Sequence, residues 1–99
     1  MWYFYILQSQ KDLNYFYKGS TSDPQRRLEE HNKGLTQSNR NFRPFRLVYF
    51  EAYLDEETAR LRERSVKRTG SVSVPLLKRI KESLKRVDGY GQMLKFTAR

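Results

Sequence analysis

The segment from Tyr15 to Asn32 constrains the fold most, because it joins an aromatic run, a glycine and a helix start. The aromatic residues at its beginning favour extended backbone, and Gly19 permits a tight turn or a close approach by another group. Asp23 is suited to cap a helix with its carboxylate, and Pro24 fits the first helical position, where no N–H is needed. The segment therefore predicts a strand, a turn and a helix.

Three side chains of this segment are expected to meet beside the turn. Arg27 and His31 are four residues apart, so they project from one face of the predicted helix. Tyr17 lies just across the turn and can point toward the same space. A phenol, a guanidinium and an imidazole at a helix start predict a pocket that binds phosphate.

Length and residue types exclude several classes of protein. The 99 residues suffice for one domain with a modest core. The absence of cysteine and the single histidine exclude disulfides, thiolate metal sites and histidine-rich zinc sites. The apolar run from Met1 to Leu7 is too short to span a bilayer and lacks the flanks of a signal peptide. We therefore expect a cytoplasmic protein without membrane contact.

The charge of the chain indicates its class of partner. The net charge of +9 and the pI near 10.0 suit a polyanion and steer the chain toward one. Some of the aromatic side chains could also stack on bases, although most are expected in the core. Nucleic acid is the predicted partner, and a merely basic soluble protein is the alternative.

The remaining pattern predicts an α+β fold, with a small three-stranded antiparallel sheet flanked by about three helices. Apolar residues on both faces of the run from Trp2 to Gln8 indicate a central, covered strand. Further elements are a strand over residues 15–19, a strand over 46–53, a helix over 24–32, a helix from 55 or 56 to 68 or 69, and a helix capped by Ser73. Residues 1–87 are expected to form the domain, and residues 88–99 a loosely ordered tail.

The stretch from Lys33 to Phe45 has no apolar periodicity and is predicted to be a loop. A loop of this length in a small domain is uncommon unless it is functional. Arg40 and Arg43, with Asn39 and Asn41, could hold a phosphate backbone; a solvated connector is an equal alternative.

Glu63 interrupts an apolar stripe of the second helix, in which Ala59 and Val66 share its face. A carboxylate in such a position needs a pairing partner or a cation. A salt bridge to Arg27 or another arginine is one interpretation. The other is a ligand for Mg²⁺ or Mn²⁺, which prefer oxygen donors and often use one or two carboxylates.

In order and spacing, these residues resemble the GIY-YIG endonucleases, and in particular their small stand-alone bacterial members. The first motif of the family falls on residues 3–5 and the second on residues 17–19, with eleven residues between Tyr5 and Tyr17. The family's later positions match Arg27, His31, Asn32 and Glu63, and the resemblance covers roughly residues 2–70. Two positions depart from the family pattern: Tyr3 replaces the usual glycine, and Lys18 replaces an isoleucine or valine.

The resemblance implies hydrolysis of DNA phosphodiester bonds with one divalent metal, Mg²⁺ or Mn²⁺, held by Glu63. It further implies that Arg27 binds the phosphate, that Tyr5 or Tyr17 orients the attacking water, and that His31 contacts the phosphate or a tyrosine, or relays a proton. Lys18 faces away from Tyr17 and is expected to contact DNA. The expected nucleic-acid contacts are Lys18, Asn32, Arg40 and Arg43.

Two other functional classes stay open at this point: a nucleic-acid-binding module without activity, and a structural or protein-interaction domain. The short chain predicts weak sequence specificity, structure-guided cutting of branched DNA, or a protein partner that supplies specificity. A role in DNA repair or recombination would fit. RNA is an alternative substrate, and the oligomeric state is open.

Overall fold

The computed structural model describes the backbone of residues 1–97 and the side chains of residues 1–88. Its strands are β1 (Trp2–Ser9), β2 (Phe16–Thr21) and β3 (Phe45–Tyr53). Its helices are α1 (Pro24–Asn32), α2 (Glu56–Arg68) and α3 (Gly70–Thr97). The predicted loop before β3 contains a short 3₁₀ turn, Arg40–Phe42.

The three strands form one antiparallel sheet in the order β2-β1-β3, with β1 in the centre. Phe4 and Ile6 of β1 are buried on one face, and Tyr5 and Leu7 on the other. This arrangement confirms the prediction of a central strand covered on both faces. The register with β3 shifts between Ile6 and Leu7, where the pairing is irregular.

Helices cover the two faces of the sheet separately. Helices α2 and α3 pack on the Phe4 face through Val66, Leu76 and Ile80. Helix α1 packs on the Tyr5 face through Leu28. The predicted α+β class, a three-stranded antiparallel sheet with three helices, is confirmed.

Local signals set both ends of α1 as predicted. The Asp23 carboxylate accepts from the backbone N–H of Arg26 at 3.1 Å, and Pro24 is the first helical residue. Gly34 follows the helix with φ of 78°, a left-handed conformation that favours glycine. The helix therefore ends at Asn32 because the chain reverses at Gly34.

Helix α3 corrects the prediction that Ser73 caps it. The N–H groups of Val72 and Ser73 both donate to the carbonyl of Thr69 at 3.0 Å, so the helix has formed before Pro75. Pro75 lies inside the helix and lacks the N–H that would bond to the carbonyl four residues earlier. The loss of this one hydrogen bond close to the start of α3 is tolerated. A rule that allows proline only in the first turn of a helix does not predict this position.

The backbone of α3 continues to Thr97, past the predicted domain boundary at residue 87. Asp88, the last residue whose side chain is described, forms an ion pair with Arg46 of β3 at 2.6 Å. The side chains from residue 89 onward, and residues 98–99, lie outside the described part of the chain. The division between a domain of residues 1–87 and a tail of residues 88–99 therefore stays a prediction.

None of the helices in the described part of the chain has the length and apolar character needed to cross a lipid bilayer.

Candidate active site

A cleft of about 370 Å³ lies along the free edge of β2. Its wall includes four consecutive residues, 19–22, and successive residues of a strand face opposite sides of the sheet. The cleft therefore lies at the sheet edge, where side chains from both faces can reach it. Four of the five residues that the sequence assigns to catalysis or metal binding line it, namely Tyr5, Tyr17, Arg27 and Glu63.

Tyr5 reaches the cleft across a position that has no side chain. It pairs with Gly19 in the register of β1 and β2. A Cβ atom on Gly19 would lie 2.6 Å from the Tyr5 hydroxyl oxygen, closer than non-bonded atoms approach. Glycine at this position therefore lets the Tyr5 ring lie against β2, with the hydroxyl directed at α1.

His31 lies behind the cleft and contacts both tyrosines. Its ring is fully buried, its Nε2 atom is 3.0 Å from the Tyr5 hydroxyl, and its ring centroid is 4.7 Å from that of Tyr17. Its Nδ1 atom is 3.3 Å from Oδ1 and 3.2 Å from Nδ2 of the buried Asn39. Two arrangements are self-consistent: Tyr5 donates to Nε2 while Nδ1–H donates to Asn39, or Asn39 donates to Nδ1 while Nε2–H donates to Tyr5.

Burial keeps the side chains of Tyr5 and His31 neutral. It raises the pKa of Tyr5 well above the ordinary phenol value, and the neighbouring Arg27 opposes this shift only in part. Burial also lowers the pKa of His31, against the hydrogen bond with Asn39, which favours the charged ring. Near neutral pH the side chains form an uncharged Tyr5–His31–Asn39 hydrogen-bond chain behind the cleft.

Arg27 brings a fixed positive charge to the cleft. Its Nη1 atom donates to the Glu30 carboxylate at 2.9 Å, and this bond raises the pKa of Arg27 and lowers that of Glu30. Arg26 lies 3.9 Å from the other oxygen of Glu30. Because a guanidinium carries five N–H donors, Arg27 can hold Glu30 and still bind an oxyanion in the cleft.

Glu63 reaches the cleft from the opposite layer. Although α2 packs on the other face of the sheet from α1, the Glu63 carboxylate extends to the edge of β2, where Ser20 Oγ donates to it at 2.6 Å. Its second oxygen accepts from Lys67 Nζ at 2.7 Å. The alternative of an ion pair with an arginine is wrong: the partner is a lysine four residues later.

The donors around Glu63 allow a test of the metal expectation. Within the described residues, no group of three or more acidic, histidine or cysteine side chains comes together. Glu63 offers one carboxylate and Ser20 one hydroxyl beside it. This set fits Mg²⁺ or Mn²⁺ that keeps most of its water ligands, because such ions often bind through one or two carboxylates.

The four residues predicted to contact nucleic acid do not line the cleft. Lys18 pairs with Ile6, and its neighbours Tyr17 and Gly19 face the other side of the sheet. Arg40 and Arg43 are exposed in the loop before β3, where the Arg43 guanidinium packs against Gly34.

Asn32 has a clear structural partner. Its amide accepts from the Phe45 N–H at 2.6 Å and donates to the Phe45 carbonyl at 3.1 Å, which joins the end of α1 to the start of β3. Asn39, grouped with the loop arginines from its sequence, is instead buried against His31.

Sequence reasoning missed residues that line the cleft or bond to Glu63. Lys67 could have been found, because residues four apart on a helix are neighbours and a lysine after Glu63 is a favourable pair. Ser20 could not, because its contact with Glu63 joins residues 43 positions apart. Trp2 and Arg60 also line the cleft, and neither belongs to the family motifs.

The chain is similar to one known protein family and to one solved structure described below. No curated protein gives a significant match to the chain. The solution NMR structure of a UPF0213 protein from Bacillus halodurans is 34% identical, covers 79% of this chain and 86% of its own, and has a TM-score of 0.44. The profile of the GIY-YIG catalytic domain matches residues 1–72, which include every residue of the cleft described above. The chain therefore belongs to the GIY-YIG family.

Proposed function

We propose that the protein is a divalent-metal-dependent endonuclease that hydrolyses phosphodiester bonds in DNA. One observation carries the proposal: Tyr5, Tyr17, Arg27 and Glu63, which three separate regions of the sequence supply, open onto one cleft. Membership in a family of nuclease-type catalytic domains supports the same activity. The net charge of +9 suits a nucleic-acid substrate.

Arg27 and Glu63 divide the binding of the reacting groups. Arg27 holds a non-bridging oxygen of the scissile phosphate through N–H donors that are not bonded to Glu30. Glu63, with the Ser20 hydroxyl beside it, holds Mg²⁺ or Mn²⁺. When bound there, the metal supplies charge neutralisation at the phosphate and at the departing 3′ oxygen.

Tyr5 and His31 move the proton of the attacking water in this proposal. A free phenolate is a poor intermediate at Tyr5, because burial raises the pKa of that hydroxyl. The water proton therefore passes to the Tyr5 oxygen while the Tyr5 proton passes to His31 Nε2, 3.0 Å away. Burial lowers the pKa of His31 and so disfavours the imidazolium that results, and the hydrogen bond from Nδ1–H to Asn39 Oδ1 offsets part of this cost. Tyr17 orients the water from the side of the cleft.

Contacts beyond the cleft belong to the same proposal. Lys18, Asn32, Arg40 and Arg43 would bind the nucleic acid outside the cleft, and Asn32 would do so while its amide also bonds Phe45. We propose branched or flapped DNA as substrate, and repair or recombination as the setting. RNA is a second possible substrate, and a protein partner could supply specificity.

The first prediction tests the activity itself. Purified protein is incubated with branched, nicked and flapped DNA, and with RNA, with and without Mg²⁺ or Mn²⁺. We expect metal-dependent cleavage by the wild type and a loss of at least about 100-fold in Glu63→Gln, because the substitution removes the carboxylate that accepts from Ser20 in the cleft. Binding of uncleaved DNA, measured by fluorescence anisotropy, should change little.

Glu57→Gln provides the matched control, since Glu57 is an exposed acid on the same helix and does not line the cleft. It should cleave at the wild-type rate. Tight DNA binding without cleavage of any substrate would replace the endonuclease with a binding module. Wild-type activity in Glu63→Gln would remove Glu63 from the site.

A further inference from the structure

The cleft has a second wall whose residues take no part in the proposed hydrolysis. Trp2, at the start of β1, lines the cleft together with Arg60 of α2. The guanidinium carbon of Arg60 lies 5.3 Å from the centroid of the Trp2 ring. Trp2 and Tyr5 are three residues apart on β1, so their Cα atoms are separated by about 10 Å. Because Arg27 lines the same cleft as Trp2, a nucleotide next to a phosphate held at Arg27 can extend toward the Trp2 ring.

Packing of the core does not account for the position of Trp2. Within the described residues, Trp2 belongs to neither of the two apolar clusters that cover the faces of the sheet. Its ring is half-buried rather than enclosed, and it forms part of a surface open to solvent. The Arg60 guanidinium lies over one face of the Trp2 ring, so a base that stacks on the indole must share or replace this contact.

Arg60 adds a charge of the sign that a nucleotide requires. Its Nε atom donates to Glu56 at 2.7 Å, and its side chain is half exposed. Within the described residues, no hydrogen bond engages the two terminal nitrogen atoms of its guanidinium, which can therefore donate to a phosphate. Aromatic faces bind bases by stacking, and arginine contributes through cation–π contacts and through the phosphate.

We propose that Trp2 and Arg60 form a subsite for an unpaired nucleobase of the DNA strand whose phosphate is cleaved. This inference rests on the proposed function and narrows its substrate. A base inside a duplex has both faces covered by its neighbours, so only an unpaired base can stack on Trp2. The substrates that fit the cleft have an unpaired base at the cleaved bond, as in single strands, flaps and frayed ends. A continuous duplex does not fit.

The single tryptophan of the chain makes the subsite directly observable. Intrinsic fluorescence is measured while the metal-free protein is titrated with a 12-residue oligothymidylate. The comparison ligand is a strand of equal length and charge made of abasic residues. We expect the oligothymidylate to quench Trp2 and to bind about 10- to 100-fold more tightly than the abasic strand, from the stacking energy of one base. The abasic strand should bind without quenching.

Two variants separate stacking from a structural role of the ring. In Trp2→Leu, anisotropy of labelled strands should show the preference for bases reduced to less than about threefold, with unchanged affinity for the abasic strand. In the matched control Phe50→Leu the preference should be intact, because Phe50 is an exposed aromatic residue that contacts Tyr3 and does not line the cleft. If Trp2→Leu fails to fold, Arg60→Gln keeps the reporter, and weaker quenching at equal strand concentration is the expected result.

The outcomes separate this inference from the proposed function. Binding of oligothymidylate without a change in Trp2 fluorescence, or an undiminished preference in Trp2→Leu, overturns the subsite and leaves the endonuclease standing. Failure of every strand to bind, together with no cleavage of any substrate, overturns both.

Discussion

His31 is the residue on which the proposed proton path depends, and its environment explains its usefulness. It is fully buried between Tyr5 and Asn39, so its ring cannot rotate without breaking one of two hydrogen bonds. Both tautomers satisfy the same pair of neighbours. Nε2 can therefore accept a proton while Nδ1–H keeps its hydrogen bond to Asn39, with little movement of heavy atoms. A proton relay requires this arrangement.

The burial of His31 leads to a prediction about stability and pH. Burial lowers its pKa in the folded state, so below the ordinary value of about 6.5 the unfolded chain binds a proton that the folded chain resists. The contribution of neutral His31 to the free energy of unfolding is fully present above about pH 6.5. This contribution is lost as the pH falls from about 6.5 toward the lower pKa of the folded state. We expect the urea concentration at the unfolding midpoint to be lower at about pH 5.5 than at about pH 7.5.

The control is His31→Gln, which removes the only histidine of the chain. Its absolute stability will differ from that of the wild type, but its midpoint should depend much less on pH across this window. Charged groups facing His31, Arg27 and Glu30, stay ionised throughout it, since the pKa of Arg27 is raised and that of Glu30 lowered. Parallel pH profiles in the two proteins would contradict the prediction.

At the scale of elements, the contact between β1 and β2 places the Tyr5 hydroxyl. In Gly19→Ala the new Cβ would lie 2.6 Å from that hydroxyl, so the ring of Tyr5 must move. We predict a fall in cleavage rate of about 100-fold, since small displacements of reacting groups have effects of that size. The free energy of unfolding should fall by about 1–3 kcal/mol, measured with urea.

Gly70→Ala serves as the comparison, because nothing lies within 4 Å of a Cβ at Gly70 and alanine favours helix. Its rate should equal that of the wild type, with equal or higher stability. A wild-type rate in Gly19→Ala would show that the hydroxyl of Tyr5 does not need its present position.

A second contact between elements fixes α2 on the sheet, and with it Glu63. The half-buried Glu51 of β3 accepts two hydrogen bonds from Arg62, at 2.9 and 3.0 Å, and others from the hydroxyls of Tyr49 and Tyr53. Burial pushes the pKa of Glu51 up, but the bonds from Arg62 and the tyrosines hold it below the ordinary value. Burial, together with the same carboxylate, raises the pKa of Tyr53 to about 12.

We predict that Glu51→Gln lowers the free energy of unfolding by about 1–3 kcal/mol, because Arg62 and two hydroxyls lose their charged acceptor in a partly buried place. Urea denaturation with an unchanged slope would measure it. The control Glu56→Gln breaks an ion pair that is half exposed on both sides, and its effect should stay within about 1 kcal/mol. If the two substitutions lower the free energy of unfolding equally, the hydrogen bonds of Glu51 do not stabilise the packing of α2 on the sheet.

The helix ends differ in how far their sequence predicts them. Asp23, Pro24 and Gly34 act within a few residues of α1, so its bounds follow from local chemistry. The start of α3 does not, because its first turn bonds back to Thr69 at the end of α2, and packing of Leu76 and Ile80 against the sheet holds it there. Proline in the sixth position is acceptable only with that support.

For the whole molecule, the excess of positive charge predicts strong salt dependence. Each phosphate of a single strand that is neutralised contributes about −0.7 to the slope of log affinity against log salt, so three phosphates give a loss of about 20-fold between about 50 and about 200 mM salt. Anisotropy of labelled DNA without metal would measure it. Arg40→Gln and Arg43→Gln should each reduce the slope by about 1 if these residues bind phosphates. A slope near zero would favour a structural or protein-interaction domain.

The sequence by itself determined the elements and the inventory of reactive groups. Alternating aromatic residues, caps and turn residues act locally, and they give three strands, the bounds of α1 and α2, and the spacing of Tyr5, Tyr17, Arg27 and His31. It also marked Glu63 as anomalous, because a carboxylate in an apolar stripe requires a partner.

Only the tertiary structure decided which groups meet. Helices α1 and α2 cover opposite faces of the sheet, so local sequence patterns do not bring Glu63 and Arg27 into one cleft, and only the family resemblance placed them in a common site. They share it because β2 is an edge strand and Gly19 and Ser20 leave room for side chains from both faces. The partners of Glu63, the burial of Asn39 and the place of Trp2 beside Arg60 arise from the same edge, through contacts between residues far apart in the chain.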